Sequence, residues 1–202
     1  MRTRTPAWGR EAKPSSARAD HHMTMEPAAD GNDVHGKRRD GGQHAPVVSL
    51  RALGLADADA FMAWASDREM RHLKQPLCAT REQAMAHIRD TVLGHPWFRA
   101  VCVSDSPVGQ VSVWPYADEG GRRANLGYAL AHDQWGWGIA VAAVRMVVGR
   151  VFDDLPGLER LEAVTDVVNV RSQRVLEKVG FHREGCCAGT SPDAAAAGPE
   201  MR

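Results

Sequence analysis

A glycine-spaced loop between a strand-like and a helix-like segment constrains this fold more than any other feature. Residues 124–130 are strand-like, Trp-Gly-Trp-Gly-Ile-Ala follows at 135–140, and apolar residues at helical spacing continue to about residue 152. A strand that turns through glycines into a helix aims several backbone N–H groups at one point, where the helix dipole adds partial positive charge. The pattern therefore predicts an anion-binding turn that suits a phosphate group.

Two other interpretations of the loop remain open at this point. The glycines can simply permit a tight strand-to-helix connection. A dinucleotide-binding oxidoreductase would need a third Gly or Ala where Val141 stands, and a parallel βαβ unit at the start of the fold. Here a strand, two helices and a hairpin precede the loop, so the dinucleotide interpretation is the least favoured.

Composition excludes several classes of protein. The chain has 202 residues, and its 25 Lys+Arg balance its 25 Asp+Glu, so nothing favours a nucleic-acid or membrane surface. No apolar run approaches the roughly 20 residues that span a bilayer. The cysteines lack the Cys-x-x-Cys spacing of zinc sites, and their pattern fits reduced thiols. We expect a cytoplasmic protein without a bound metal; organellar targeting by the Arg-rich start is a weaker alternative.

The two ends of the chain differ from its middle. Residues 1–46 contain no Leu, Ile, Phe, Tyr or Cys, which predicts a disordered tail. Residues 186–202 are mostly small or polar, which predicts an irregular tail. One domain is therefore expected over 47–185.

The middle of the chain alternates strand and helix signals. Thr80 and Asn169 are expected to cap helices, Asp57 is expected to start one, and Gly180 is expected to end the last. Strands are predicted at 47–53, 97–104, 108–114, 124–130 and 161–167, with helices after residues 57, 80, 138 and 169.

Three motifs together resemble the GNAT superfamily of acyl-CoA N-acyltransferases. They are Leu126-Gly-Tyr-Ala-Leu130 with the loop at 135–140, Leu158-Glu-Arg-Leu-Glu-Ala163 with Asp166 and Asn169, and the run from Ser172 to Gly185. They look like the branch that acetylates alanine N-termini of ribosomal proteins, and residues 90–100 are similar to plant members of that branch.

The resemblance implies an α+β fold of the GNAT α/β/α type. Its sheet is mixed and mostly antiparallel, and the fourth and fifth strands, here 124–130 and 161–167, splay apart. Family members continue beyond the equivalent of Gly185 with two more strands. Residues 186–202 do not resemble them, so we expect an aberrant, truncated sheet that lacks its last two strands. The edge of the fifth strand would then be exposed, and a homodimer could cover it.

The resemblance also implies acetyl-CoA as co-substrate. The pyrophosphate would lie on the glycine loop, and the pantetheine arm would lie in the gap between the splayed strands. The implied binding residues are Ala129, Leu130, Ala131, Trp135, Gly136, Trp137, Gly138, Ile139, Ala140, Asn169 and Ser172.

The expected activity is acetyl transfer to a primary amine, such as a protein N-terminus, a polyamine or a small metabolite. Its general base is not evident, because Asn125 stands where related sequences often have Glu, and Leu176 stands where many have a Tyr acid. Weak catalytic candidates are Asn125, Ser172 and Glu162, with water, His132 or Asp133 as further bases. Met70, His72 and Trp97 are candidates for lining the acceptor cleft. The alternative is a catalytically impaired relic of the fold that binds CoA or a protein partner.

Overall fold

The computed structural model describes residues 19–27, 46–65, 78–117 and 121–188. A seven-stranded sheet in the order β2-β3-β4-β5-β6-β1-β7 runs through them. Its strands are β1 (Ala19–Met25), β2 (Val48–Arg51), β3 (Phe98–Val103), β4 (Ser106–Pro115), β5 (Arg123–Leu130), β6 (Arg160–Asp166) and β7 (His182–Ala188). The α-helices are α1 (Ala58–Ala65), α2 (Arg81–His87), α3 (Ile139–Asp154) and α4 (Val170–Val179).

The expected α+β architecture is confirmed. Every strand pair in the sheet is antiparallel except β5 with β6. Buried residues form one apolar cluster around α3 and α4 and a second around α1 and α2, on opposite faces of the sheet. Within the described ranges, no helix is long and apolar enough to cross a membrane.

Short polar side chains fix the ends of the helices, as the sequence predicts. The Thr80 hydroxyl accepts a hydrogen bond of 3.3 Å from the Gln83 N–H at the start of α2. Asn169 Oδ1 accepts one of 3.1 Å from the Ser172 N–H at the start of α4. Gly180 ends α4 in the left-handed conformation, with φ of 107°.

Asp57 acts differently from the expectation that it starts a helix. A 3₁₀ turn at Leu55–Asp57 precedes α1, and the Asp57 carboxylate reaches back to accept a 2.9 Å hydrogen bond from the Gly54 N–H. The same carboxylate binds Arg51 through two hydrogen bonds of 2.7 and 2.8 Å. The helical region therefore begins one turn earlier than predicted.

The parallel strands β5 and β6 separate as expected. Their register covers only three facing pairs, Arg123 with Arg160, Ala124 with Leu161, and Asn125 with Glu162. Beyond these pairs β5 continues to Leu130 and β6 to Asp166 without pairing each other. A gap therefore opens between the strands, with Asn125 and Glu162 at its closed end.

The prediction of disorder over 1–46 is wrong for residues 19–25. They form β1, which pairs antiparallel with β6 on one side and β7 on the other. Met23 is fully buried in the core around α3 and α4. The short segment has weak strand propensity, but two paired neighbours and one buried methionine outweigh it. Residues 1–18 and 28–45 lie outside the described ranges.

The prediction of an irregular tail after residue 185 is also wrong for residues 186–188, where β7 continues. The missing signal has a physical reason: the side chains of residues 182–185 are exposed, so β7 shows no apolar alternation. Among the described residues one strand, β7, follows α4, and β1 from the N-terminal part of the chain lies between β6 and β7. The sheet is therefore not cut short at β6. Residues 189–202 lie outside the described ranges.

The edge of β6 is therefore not exposed as expected. The backbone of β1 pairs with it from Leu161 to Asp166. The homodimer was expected because it would cover an open strand edge, and β1 already covers that edge. The homodimer itself stays a prediction.

Candidate active site

The loop at the start of α3 presents its backbone to open space. Gly136 and Gly138 have φ of 86° and 80°, in the left-handed region that favours glycine. Gly138 is the N-cap of α3, and no side chain caps that helix. A Cβ at either glycine would meet no atom within 4 Å. The first-turn N–H groups and the space before them fit a phosphate group.

Both N–H groups of Trp135 make hydrogen bonds within the protein, so neither is a candidate donor to an anion. Its backbone N–H donates to the His132 carbonyl at 3.1 Å, and its indole Nε1 donates to the Leu130 carbonyl at 3.0 Å. Its ring also contacts the His132 ring edge-on, at a centroid distance of 4.7 Å. The backbone donors that stay candidates for an anion are therefore those from Gly136 to Ala140.

Arg171 supplies a cation beside the loop that the sequence interpretation missed. Its guanidinium carbon lies 5.1 Å from the centroid of the Trp135 ring, and the residue is exposed. The available signal was an arginine in the first turn of α4, between Asn169 and Ser172. The loop itself carries the exposed Trp137, so the cation beside the loop comes from α4.

The end of β5 forms one wall of the gap. Ala129 and Leu130 are buried there. The Ala131 N–H donates to Val108 at 2.9 Å, and its carbonyl accepts from Gln134 at 3.0 Å. Both backbone groups of Ala131 are therefore engaged, and the Leu130 carbonyl is engaged by the Trp135 indole.

Tyr128 and Ser172 bring two hydroxyl groups together at the gap. The Tyr128 hydroxyl lies 2.7 Å from Ser172 Oγ and donates to the Ser172 carbonyl at 3.2 Å. Burial raises the pKa of Tyr128 to about 12, and the hydrogen bond with Ser172 opposes this rise. The phenol therefore stays protonated at neutral pH. Sequence reasoning did not find this pair, because it sought an acid at the position of Leu176, which is buried in the core.

The closed end of the gap holds a charged cluster. Glu162 is 2% exposed; its Oε2 lies 3.0 Å from His22 Nε2, and its Oε1 lies 3.2 Å from Arg160 Nε and 3.4 Å from Arg123 NH1. Both carboxylate oxygens are engaged, so Glu162 is poorly placed to take a proton from a substrate. Opposite it, the buried Asn125 Oδ1 has no hydrogen-bond partner among the described residues.

The other candidates lie away from this cluster or cannot be placed. Trp97 is 3% exposed, and its indole donates to Asp154 Oδ2 at 2.9 Å, so it packs against α3. His132 and Asp133 are exposed in the 3₁₀ turn before the loop. Met70 and His72 lie outside the described residues. Within the described part of the chain, no group of His, Cys, Asp or Glu could hold a metal ion.

Comparison with known proteins agrees with this arrangement. Residues 48–182 match the family model described as an acetyltransferase (GNAT) domain. The uncharacterized N-acetyltransferase YoaA of Bacillus subtilis is 41% identical over 143 residues, which cover 67% of this chain and 80% of YoaA. The probable N-acetyltransferase YjcK of the same organism is 42% identical over 81 residues, but the match covers only 40% of this chain and 44% of YjcK.

A solved structure shows the same fold at lower identity. The aminoglycoside acetyltransferase AAC(6')-Ib, in complex with coenzyme A and kanamycin, superposes with a TM-score of 0.60 and 21% identity, covering 73% of this chain and 90% of that one. With the family model and YoaA, the gap between β5 and β6 and the uncapped start of α3 have a common explanation: this chain belongs to the GNAT family of acetyltransferases.

Proposed function

We propose that this protein transfers an acetyl group from acetyl-CoA to a primary amine. The observation that carries the proposal is the uncapped N-terminus of α3 at the mouth of the gap between β5 and β6. A helix start of this kind binds phosphate, and the gap gives a long thioester arm a path into the sheet. The similarity in fold to AAC(6')-Ib, which was crystallised with coenzyme A and kanamycin, supports acetyl-CoA as the donor and an amine as the acceptor.

The pyrophosphate of the co-substrate would contact the backbone N–H groups from Gly136 to Ala140. Arg171 would add a positive charge next to them. The arm would then follow the unpaired edge of β5 past Leu130 and Ala129, towards the closed end at Asn125. This path places the acetyl group between the Tyr128–Ser172 pair and the cluster around Glu162.

The chemistry of such a site needs a neutral amine, a positioned thioester and a proton for the leaving sulfur. Ser172 Oγ is the proposed donor to the leaving sulfur, and the Tyr128 hydroxyl at 2.7 Å can replace the proton that Ser172 gives up. Asn169 holds the first turn of α4 through the Ser172 N–H, so it fixes the position of that hydroxyl. A backbone N–H near Leu130 is the proposed donor to the developing oxyanion.

The acceptor is proposed to be a protein N-terminus, a polyamine or a small amine metabolite. A second candidate function is a catalytically impaired relic that binds CoA or a protein partner. It is favoured by Asn125, which cannot act as a base, and by the burial of Leu176 where an acid was sought.

Two measurements test the proposal. Isothermal titration with acetyl-CoA measures binding, and thiol release measures turnover with an alanine-initiated peptide, spermidine and kanamycin as acceptors. Binding with amine-dependent thiol release supports the enzyme, binding without release supports the relic, and absence of binding refutes both.

A matched pair of variants assigns the binding to the loop. Gly138→Ala forces a residue with a Cβ into the left-handed conformation, at a cost of about 1–2 kcal/mol, and places a methyl group before the helix start. We expect at least a tenfold loss of acetyl-CoA affinity. Gly149→Ala, an exposed position within the same helix where a Cβ meets no atom, should leave the affinity unchanged. Equal affinities of the two variants would contradict the proposed site.

A further inference from the structure

We propose that His22, delivered by the N-terminal strand β1, is the general base that deprotonates the acceptor amine. The inference rests on the proposed acetyl transfer and concerns the one chemical group that the site otherwise lacks. Three observations carry it: the position of β1, the contact with Glu162, and the engagement of Glu162 by arginines.

The register of the sheet places His22 beside β6, on the side of that strand away from β5. His22 faces Val164 across the β1–β6 pair, and Thr24 faces Glu162. Facing residues share one side of a sheet, so His22 lies on the same side as Glu162 and Asn125. Val164 belongs to the stretch of β6 that no longer pairs with β5, and it is 44% exposed. The imidazole therefore lies one strand away from the open part of the gap, on a face of the sheet that solvent and an acceptor can reach.

The contact with Glu162 gives the imidazole a defined orientation. His22 Nε2 lies 3.0 Å from Glu162 Oε2, and the His22 side chain is 27% exposed. A carboxylate that accepts the Nε2 proton leaves the lone pair on Nδ1. Glu162 thus acts as a positioning residue, and Nδ1 is the atom that would accept a proton from the amine.

Two arginines hold the Glu162 carboxylate in position to orient the imidazole. Arg160 and Arg123 both bind its Oε1, and Arg160 also pairs with Glu184 from β7. The pKa of Glu184 is held below its ordinary value first by a hydrogen bond with Thr24, with the charges of Arg160 and His22 as further causes. The charged groups around the imidazole are thus Glu162 and Arg160 from β6, Glu184 from β7 and Arg123 from β5. An imidazolium would face two carboxylates as well as two guanidinium groups.

The proposed step balances as follows. His22 Nδ1 takes one proton from the ammonium form of the acceptor, and the free amine attacks the thioester carbonyl. A C–N bond forms, the C–S bond breaks, and the electron pair of that bond leaves on sulfur. The sulfur takes a proton from the Ser172 hydroxyl, which recovers one from the Tyr128 hydroxyl, and the phenol is reprotonated by the proton that the attacking nitrogen loses. The imidazolium then releases its proton to water, so one proton is released per acetyl group transferred.

The test compares His22→Gln with His182→Gln under acetyl-CoA and whichever amine of the panel supports thiol release. Glutamine can keep the hydrogen bond to Glu162 but cannot take a proton. We expect kcat/KM to fall about 10²–10⁴-fold at neutral pH, the usual contribution of a general base. The deficit should shrink as rising pH deprotonates the amine in solution. His182 is an exposed histidine on the neighbouring strand, and its variant should keep the wild-type rate and profile.

Two further readouts separate a base from a structural residue. The His22→Gln variant should keep the thermal midpoint and the acetyl-CoA affinity of the wild type; if it does not fold, His22→Asn replaces it. Glu162→Gln, which removes the carboxylate that orients the imidazole, should lower kcat/KM and leave the acetyl-CoA affinity unchanged. A His22 variant with the wild-type rate and pH profile overturns the assignment alone. Absence of turnover in the wild type overturns the proposed function as well.

Discussion

Met23→Ala is the sharpest test of whether β1 belongs to the fold. Met23 is fully buried, with an exposure of 0%, and it lies in the core cluster around α3 and α4. Removing a buried methionine side chain to Ala costs about 2–5 kcal/mol, from the lost transfer energy and the cavity that remains. For a domain of this size each kcal/mol lowers Tm by about 2–4 °C, so a loss of 3 kcal/mol corresponds to roughly 6–12 °C.

The controls use the same residue type. Met146 lies on α3 and is 37% exposed, so Met146→Ala should change stability by no more than about 0.5 kcal/mol. Met23→Leu keeps the buried volume and should cost less than about 1.5 kcal/mol. Urea unfolding measures all three variants, with a lower midpoint and an unchanged m-value expected for Met23→Ala. If Met23→Ala unfolds at the same urea concentration as Met146→Ala, β1 does not contribute to the core and the reasoning is refuted.

Two other predictions follow from the site and from the start of α1. Tyr128→Phe removes the partner of the Ser172 hydroxyl, so we expect a loss of about 0.5–1.5 kcal/mol in unfolding free energy and slower thiol release. The pKa of Tyr128 is about 12. Removing the phenol should therefore not change the alkaline side of the rate profile below about pH 10. The pKa of Asp57 is held below its ordinary 3.8 chiefly by the hydrogen bond from Arg51, so its stabilisation is present above that value and is lost as pH falls through the lower folded pKa. Asp57→Asn should therefore lower Tm at neutral pH and flatten its fall below about pH 4; equal acid slopes for the two proteins would contradict this.

The features that the sequence predicts well are local. Thr80, Asn169 and Gly180 act at helix ends through their own short side chains or backbone freedom, so their roles follow from the adjacent residues. The glycine loop is equally local, because the strand, the turn and the helix lie next to each other in the chain. The separation of β5 and β6 could be expected only through the resemblance to the family.

The features that the sequence did not predict depend on distant partners. Residues 19–25 have weak strand propensity, and they form β1 only because β6 and β7 offer two unpaired edges. The role of Glu162 changed for the same reason. From the sequence it is only a weak catalytic candidate, whereas in the structure Arg123 and His22 reach it from other strands. Tyr128 lies on a strand and Ser172 on a helix, and the two residues are 44 positions apart in the chain.

The place of β1 in the sheet also sets an order of events during synthesis. His22 and Glu162 are 140 positions apart in the chain, yet their side chains touch. At about 5–20 residues per second, a ribosome needs roughly 7–30 s to complete the stretch between them. During that interval β1 has neither neighbour to pair with, and the centre of the sheet can assemble before β1 docks. Docking of β1 is then a late step of folding, and the charged cluster at the closed end of the gap is complete only after it.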